Sequence, residues 1–210
     1  MNIEEQIFHP ETDKNFFNSD RQNLQKSYSQ DHEELIDTAE MKSLLLGMKK
    51  NKQRCLANFS ERMTFNDHQL KILEKCMNDL DVQEIDLIDL PDEPMTDAGV
   101  SYLAQIPWLR ELNLGDCRGI TDKGVKVIGE KLKNLESLSI CLNLRVTDIT
   151  PLQNLTNLKV LDIGRTRVKH VDFGWIKNSE LVSLDVRDSM ISEDDQMKIA
   201  EILQKKNKCK

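Results

Sequence analysis

The sequence lacks any long apolar run. Its longest, Leu44-Leu45-Leu46-Gly47-Met48, falls far short of the roughly 20 residues that cross a bilayer, so no membrane insertion is expected. It also lacks paired cysteines. The five are Cys55, Cys76, Cys117, Cys141 and Cys209, an odd number with no C-x-x-C pair. That argues against a disulfide framework and against a zinc site. A reducing, cytoplasmic compartment is the simplest inference. The opening Met1-Asn2-Ile3-Glu4-Glu5-Gln6 is acidic and has no apolar core, unlike a secretory or transit peptide. Positive charge is in deficit, with 29 Lys and Arg against 36 Asp and Glu, for a net charge of −7. Affinity for nucleic acid scales with the cations that neutralise phosphates, so no nucleic-acid partner is expected. The local basic runs Lys49–Arg54 and Lys205–Lys208 read as a solvated helix face and a helix end.

Catalytic constellations are missing as well. His9, His32, His68 and His170 stand apart from one another and from any Cys, Asp or Ser at a catalytic spacing. There is no G-x-S-x-G, no glycine-rich phosphate loop and no H-E-x-x-H. The expectation is a protein without enzymatic activity, metal or cofactor.

What is present is a repeat. The pattern apolar-x-x-apolar-x-apolar occurs five times: Val82-x-x-Ile85-x-Leu87, Leu109-x-x-Leu112-x-Leu114, Leu135-x-x-Leu138-x-Ile140, Leu158-x-x-Leu161-x-Ile163 and Leu181-x-x-Leu184-x-Val186. The starts are 27, 26, 23 and 23 residues apart. Each hexamer holds a short strand with aliphatic side chains on one face and polar ones on the other. A single such strand cannot bury its apolar face, so the units must stack, with parallel strands and right-handed returns. Helix caps follow the strands at Thr96-Asp97, Thr121-Asp122 and Thr147-Asp148. The ninth repeat position carries Cys117, Asn143, Thr166 and Ser189, small groups suited to bonding the turn backbone. Cys141 falls on an exposed strand position.

The stretch Leu109 to Leu135 resembles the cysteine-containing leucine-rich repeat, L-x-x-L-x-L-x-x-C-x-x-I-T-D-x-G. The repeats from Leu135 and Leu158 resemble the shorter ones of internalin-type proteins, including the turn Ile149-Thr150-Pro151-Leu152. The resemblance covers about residues 63 to 203. It implies an α/β, right-handed leucine-rich-repeat solenoid of about five repeats. Its parallel strands would line a concave face that holds a protein.

Three segments are expected. Residues 1–30 are polar, with isolated aromatics at Phe8, Phe16, Phe17 and Tyr28, and read as disordered. Residues 31–62 read as an α-helical N-terminal extension. Residues 63–210 form the repeat domain, with a capping helix over 66–80 and another after Ser192. On the concave face the expected partner-binding residues are Glu84, Asp86, Glu111, Asn113, Ser139, Asp162, Arg165, Asp185 and Arg187. Most are acidic or small and polar, so the expected partner is a protein with a basic surface. Two other assignments remain open: a ubiquitin-ligase adaptor of the F-box type, although the Leu-Pro opening of an F-box is missing, and a bacterial effector or structural-complex subunit.

Overall fold

The computed structural model describes residues 36–57 and 64–208. The expectations for residues 1–30 and for Cys209 lie outside these. All described residues fall in one compact unit, Glu33–Lys210. Helix α1 (Thr38–Lys50) opens with a capping box: the Asp37 carboxylate accepts from the backbone of Ala39 and Glu40, and Glu40 returns a bond to the Asp37 N–H. Its Met41, Leu45 and Met48, spaced four and three apart, share the buried stripe. Strand β1 (Cys55–Ala57), helix α2 (Asp67–Leu80), β2 (Leu87–Asp89), α3 (Asp97–Leu103), β3 (Glu111–Asn113), α4 (Asp122–Lys131) and β4 (Ser137–Ser139) follow. Next come a 3₁₀ helix (Thr150–Asn154), β5 (Val160–Asp162), α5 (Phe173–Asn178), β6 (Ser183–Asp185) and α6 (Glu193–Lys208).

The strands form one parallel sheet in sequence order, β1 to β6. Leu56, Ile88, Leu112, Leu138, Leu161 and Leu184 are its central rungs. The first five are fully buried. Each strand is three residues long because a tight turn follows at once. Three residues beyond each strand from β2 onward, at Asp92, Asp116, Leu142, Arg165 and Asp188, the backbone turns left-handed with φ between 55° and 63°. The ninth position then ties the turn: Cys117 Sγ donates to Leu90 O at 3.2 Å, Asn143 Nδ2 to Leu114 O at 2.8 Å and Thr166 Oγ1 to Ile163 O at 2.7 Å. In the first of these turns the position is filled by buried Glu93, whose carboxylate accepts from Phe65 N at 2.7 Å.

Thr96 and Thr121 cap α3 and α4 as expected, but Thr147 caps no helix: the 3₁₀ helix opens after Ile149 without a side-chain cap bond. Asp67 accepts from the backbone and hydroxyl of Thr96 and from Gly99 N. Asp97 does the same for Thr121 and Gly124, and Asp122 for Thr147 and Asp148. Each carboxylate thus staples its helix N-terminus to the next repeat. Burial pushes the Asp122 carboxyl up, but bonds from the Thr147 hydroxyl and the Thr147 and Asp148 backbones outweigh it and leave it below the usual carboxylate range.

Two features differ from the sequence expectation. The sheet has a sixth strand, Cys55–Ala57, inside the segment read as helical. Three residues with one buried aliphatic give no periodicity to detect. The first hexamer is also out of frame. Ile88 pairs with Leu112, so the repeat runs Ile85-x-x-Ile88-x-Leu90 and not from Val82. The stretch from Val82 to Leu90 offers aliphatics in two frames, and only strand pairing selects one. Val82 instead belongs to the turn that ends α2, donating its N–H to Met77 O.

Candidate partner-binding face

The frame shift changes which residues share the outward face of the sheet. Flanking the central rungs on one side are Leu87, Glu111, Ser137, Val160 and Ser183. On the other are Asp89, Asn113, Ser139, Asp162 and Asp185. Of the expected site residues, Glu111, Asn113, Ser139, Asp162 and Asp185 therefore lie on this face. Glu84 and Asp86 do not share those columns. Glu84 is exposed in the turn before β2, and Asp86 sits just ahead of the strand; Leu87 and Asp89 take the places expected for them. Arg165 and Arg187 lie in the turns after β5 and β6. Cys141 lies just beyond β4 and is half-buried; burial, with the Asp162 carboxylate next to it, pushes its thiol up to about 11.

Much of the charge on this face is already answered within the chain. Asn113 Nδ2 donates to Asp89 at 2.7 Å. Asp162 accepts from Gly164 N at 2.9 Å and from Ser139 Oγ at 3.4 Å. Burial holds its carboxyl above the usual range, and the charge of Asp185 adds to that. Asp185 takes the Arg187 guanidinium on both oxygens, at 2.5 to 3.0 Å. Arg165 pairs with Asp188 at 3.0 Å. At the centre of the face Ser137 is fully buried, and its hydroxyl has no partner among the described residues.

A second column runs just ahead of the strands and alternates in sign: Arg54, Asp86, Arg110, Glu136, Lys159. The backbone places them rung by rung, since Leu87 N bonds Arg54 O, Arg110 N bonds Asp86 O, Glu136 N bonds Arg110 O and Lys159 N bonds Glu136 O. Arg54 pairs with Asp86 at 2.7 Å and reaches Glu111 at 2.9 Å; Glu136 pairs with Arg110 and with Lys159. The Asp86 bond, more than any other contact, raises the Arg54 guanidinium above its ordinary range. The sequence carried a signal for this column: Arg110, Glu136 and Lys159 each follow the first leucine of a hexamer. Arg54 was missed because β1 was missed.

The Leucine Rich repeat family matches at residues 105–129. No curated protein matches the chain. Among solved structures, internalin C2 from Listeria monocytogenes is 24% identical with a TM-score of 0.54, the match covering 80% of this chain and 72% of that one. A chain of the TLR13–ssRNA13 complex is 16% identical with a TM-score of 0.50, covering 69% of this chain and 21% of that one. At such identities the likeness speaks for the fold alone. Together with the parallel sheet and its returning helices, it defines an α/β leucine-rich-repeat solenoid with internalin-like repeats. Among the described residues, no helix is long and apolar enough to cross a membrane.

Proposed function

We propose that this protein is a non-catalytic, cytoplasmic interaction module that holds a protein partner with a basic surface on the concave, outward face of its sheet. The observation that carries this reading is the column of Asp89, Asp162 and Asp185, which with Glu111 sets four carboxylates on that face against the guanidinium groups of Arg54 and Arg187. A surplus of one sign steers an oppositely charged partner and sets its approach. Cys76, Cys117 and Cys141 are free thiols, which supports a reducing compartment.

The test is the double variant Asp162→Asn/Asp185→Asn. Asn keeps an oxygen for Gly164 N while removing both charges. Proteins retained from lysate by the wild type and by Glu130→Gln, on the exposed face of α4, should be lost by the double variant. Equal retention would place the binding site elsewhere. The adaptor reading stays second and predicts a Skp-type linker protein among the retained proteins; the effector or complex-subunit reading predicts one stable large assembly.

A further inference from the structure

The edge of the solenoid beyond the strand ends carries a different surface. Leu144 and Met190 are 55% and 54% exposed, among the most exposed large apolar side chains described. Between and beside them stand Arg145, Arg167 and Lys169, all exposed. The backbone packs these stretches side by side: Arg167 N donates to Val146 O at 2.9 Å, and Met190 N to Val168 O at 3.1 Å. Val146 and Val168 are buried beneath, so their neighbours Arg145, Arg167 and Lys169 project outward. The other arginines of this edge are committed, Arg118 to Asp116, Arg165 to Asp188 and Arg187 to Asp185. Among the described residues, Arg145, Arg167 and Lys169 form no ion pair. The acids of the adjoining stretches have partners of their own, Asp122 being held by Thr147 and Asp148. Asp148 accepts from Thr150 N, Asp195 pairs with Lys198 and also feels the charge of exposed His170, and Glu193 lies in the first turn of α6.

We propose that this edge is a second docking surface, separate from the sheet face, for an acidic protein segment that also carries an apolar side chain. Charge complementarity assigns the acidic character: three uncommitted cations occupy one edge of a chain whose net charge is −7. The exposed Leu144 and Met190 assign the apolar contact. Three cations on an otherwise acidic chain are too few to hold a polyphosphate backbone at physiological salt. A membrane would need a longer apolar or polybasic surface.

The experiment is fluorescence anisotropy on the full chain with a labelled peptide of about ten residues built from Glu and Leu. Wild type should bind it. Arg145→Glu/Arg167→Glu should weaken binding on the order of tenfold, and Leu144→Ser/Met190→Ser about threefold, while both keep the wild-type Tm. Glu111→Gln, on the sheet face and paired with Arg54, should leave it unchanged, which separates this surface from the sheet face. Equal binding by the charge-reversed variant overturns the proposal. So does equal binding of a Glu/Ser peptide, which would reduce the site to ion exchange. Binding of single-stranded RNA or of vesicles with anionic lipid in place of the peptide also overturns it.

Discussion

At the scale of single residues, the Gly of the Thr-Asp-x-Gly motif has a specific steric cause. A Cβ on Gly124 would lie 2.6 Å from Asp97 Oδ1 and 3.2 Å from Ile120 Cγ2. The carboxylate cannot retreat, because Thr121 and Gly124 itself hold it by three bonds. Gly99 meets Asp67 in the same way, at 2.6 Å. Gly124→Ala should therefore cost about 1–3 kcal/mol in urea unfolding. In an Asp97→Ala background the penalty should shrink, because the obstructing oxygen is gone. An undiminished penalty there would show that the glycine is needed for another reason. Where the third repeat replaces this glycine with Thr150, the chain enters a 3₁₀ helix with Pro151, and Asp122 bonds Asp148 N instead.

At the scale of elements, each strand contributes one central aliphatic to the core, and its neighbours in the stack supply the packing. Leu138 is fully buried between Leu112 and Leu161. Truncating it to Ala opens a cavity that three-residue strands on either side cannot close. The expected cost is roughly 2–5 kcal/mol by urea denaturation. A loss under about half a kcal/mol, the range of an ordinary surface change, would mean that Leu138 does not face the core. The helices matter at this scale too. Their N-termini are linked through Asp67, Asp97 and Asp122, so stability is shared between neighbouring repeats, as expected of a solenoid.

At the scale of the whole molecule, the stability–pH curve should carry two opposite contributions. Asp122 and Glu136 titrate below their ordinary values, the first held by Thr147 and Asp148, the second by Lys159 and Arg110. Their stabilisation is present above the unfolded carboxylate range and is lost as pH falls through their depressed folded values. Asp162 titrates above its ordinary value because of burial and the nearby Asp185. Its folded form binds a proton more readily than the unfolded chain does, so stability from this group rises as pH falls through that raised value. Asp162→Asn should thus be more stable than wild type at pH 7, with the difference shrinking in acid. Asp122→Asn should be less stable at pH 7 and converge with wild type at low pH. Thermal melts between pH 3 and 7 check both signs; a destabilised Asp162→Asn at pH 7 contradicts the burial argument.

The sequence by itself determined the repeat, because a hexamer whose aliphatics must share a core recurs near a constant period. It also determined the parallel sheet, the helix caps Thr96 and Thr121 and the ninth-position turn bonds of Cys117, Asn143 and Thr166, all of which rest on local periodicity. Glu111, Asn113, Ser139, Asp162 and Asp185 were legible as face residues for the same reason. Only the tertiary structure decided the rest. It set the frame of the first repeat, where Val82, Ile85 and Ile88 are all aliphatic and pairing with Leu112 makes the choice. It revealed β1, whose three residues have no period of their own. It showed that Arg187 already answers Asp185 and that Arg54 answers both Asp86 and Glu111. It also gathered Arg145, Arg167 and Lys169 with Leu144 and Met190 on one edge. The face follows from the hexamer, whose recurring positions assign each side chain to one column, but the edge lies in the turns outside the hexamer, where no shared pattern marks it and only stacking brings its residues together.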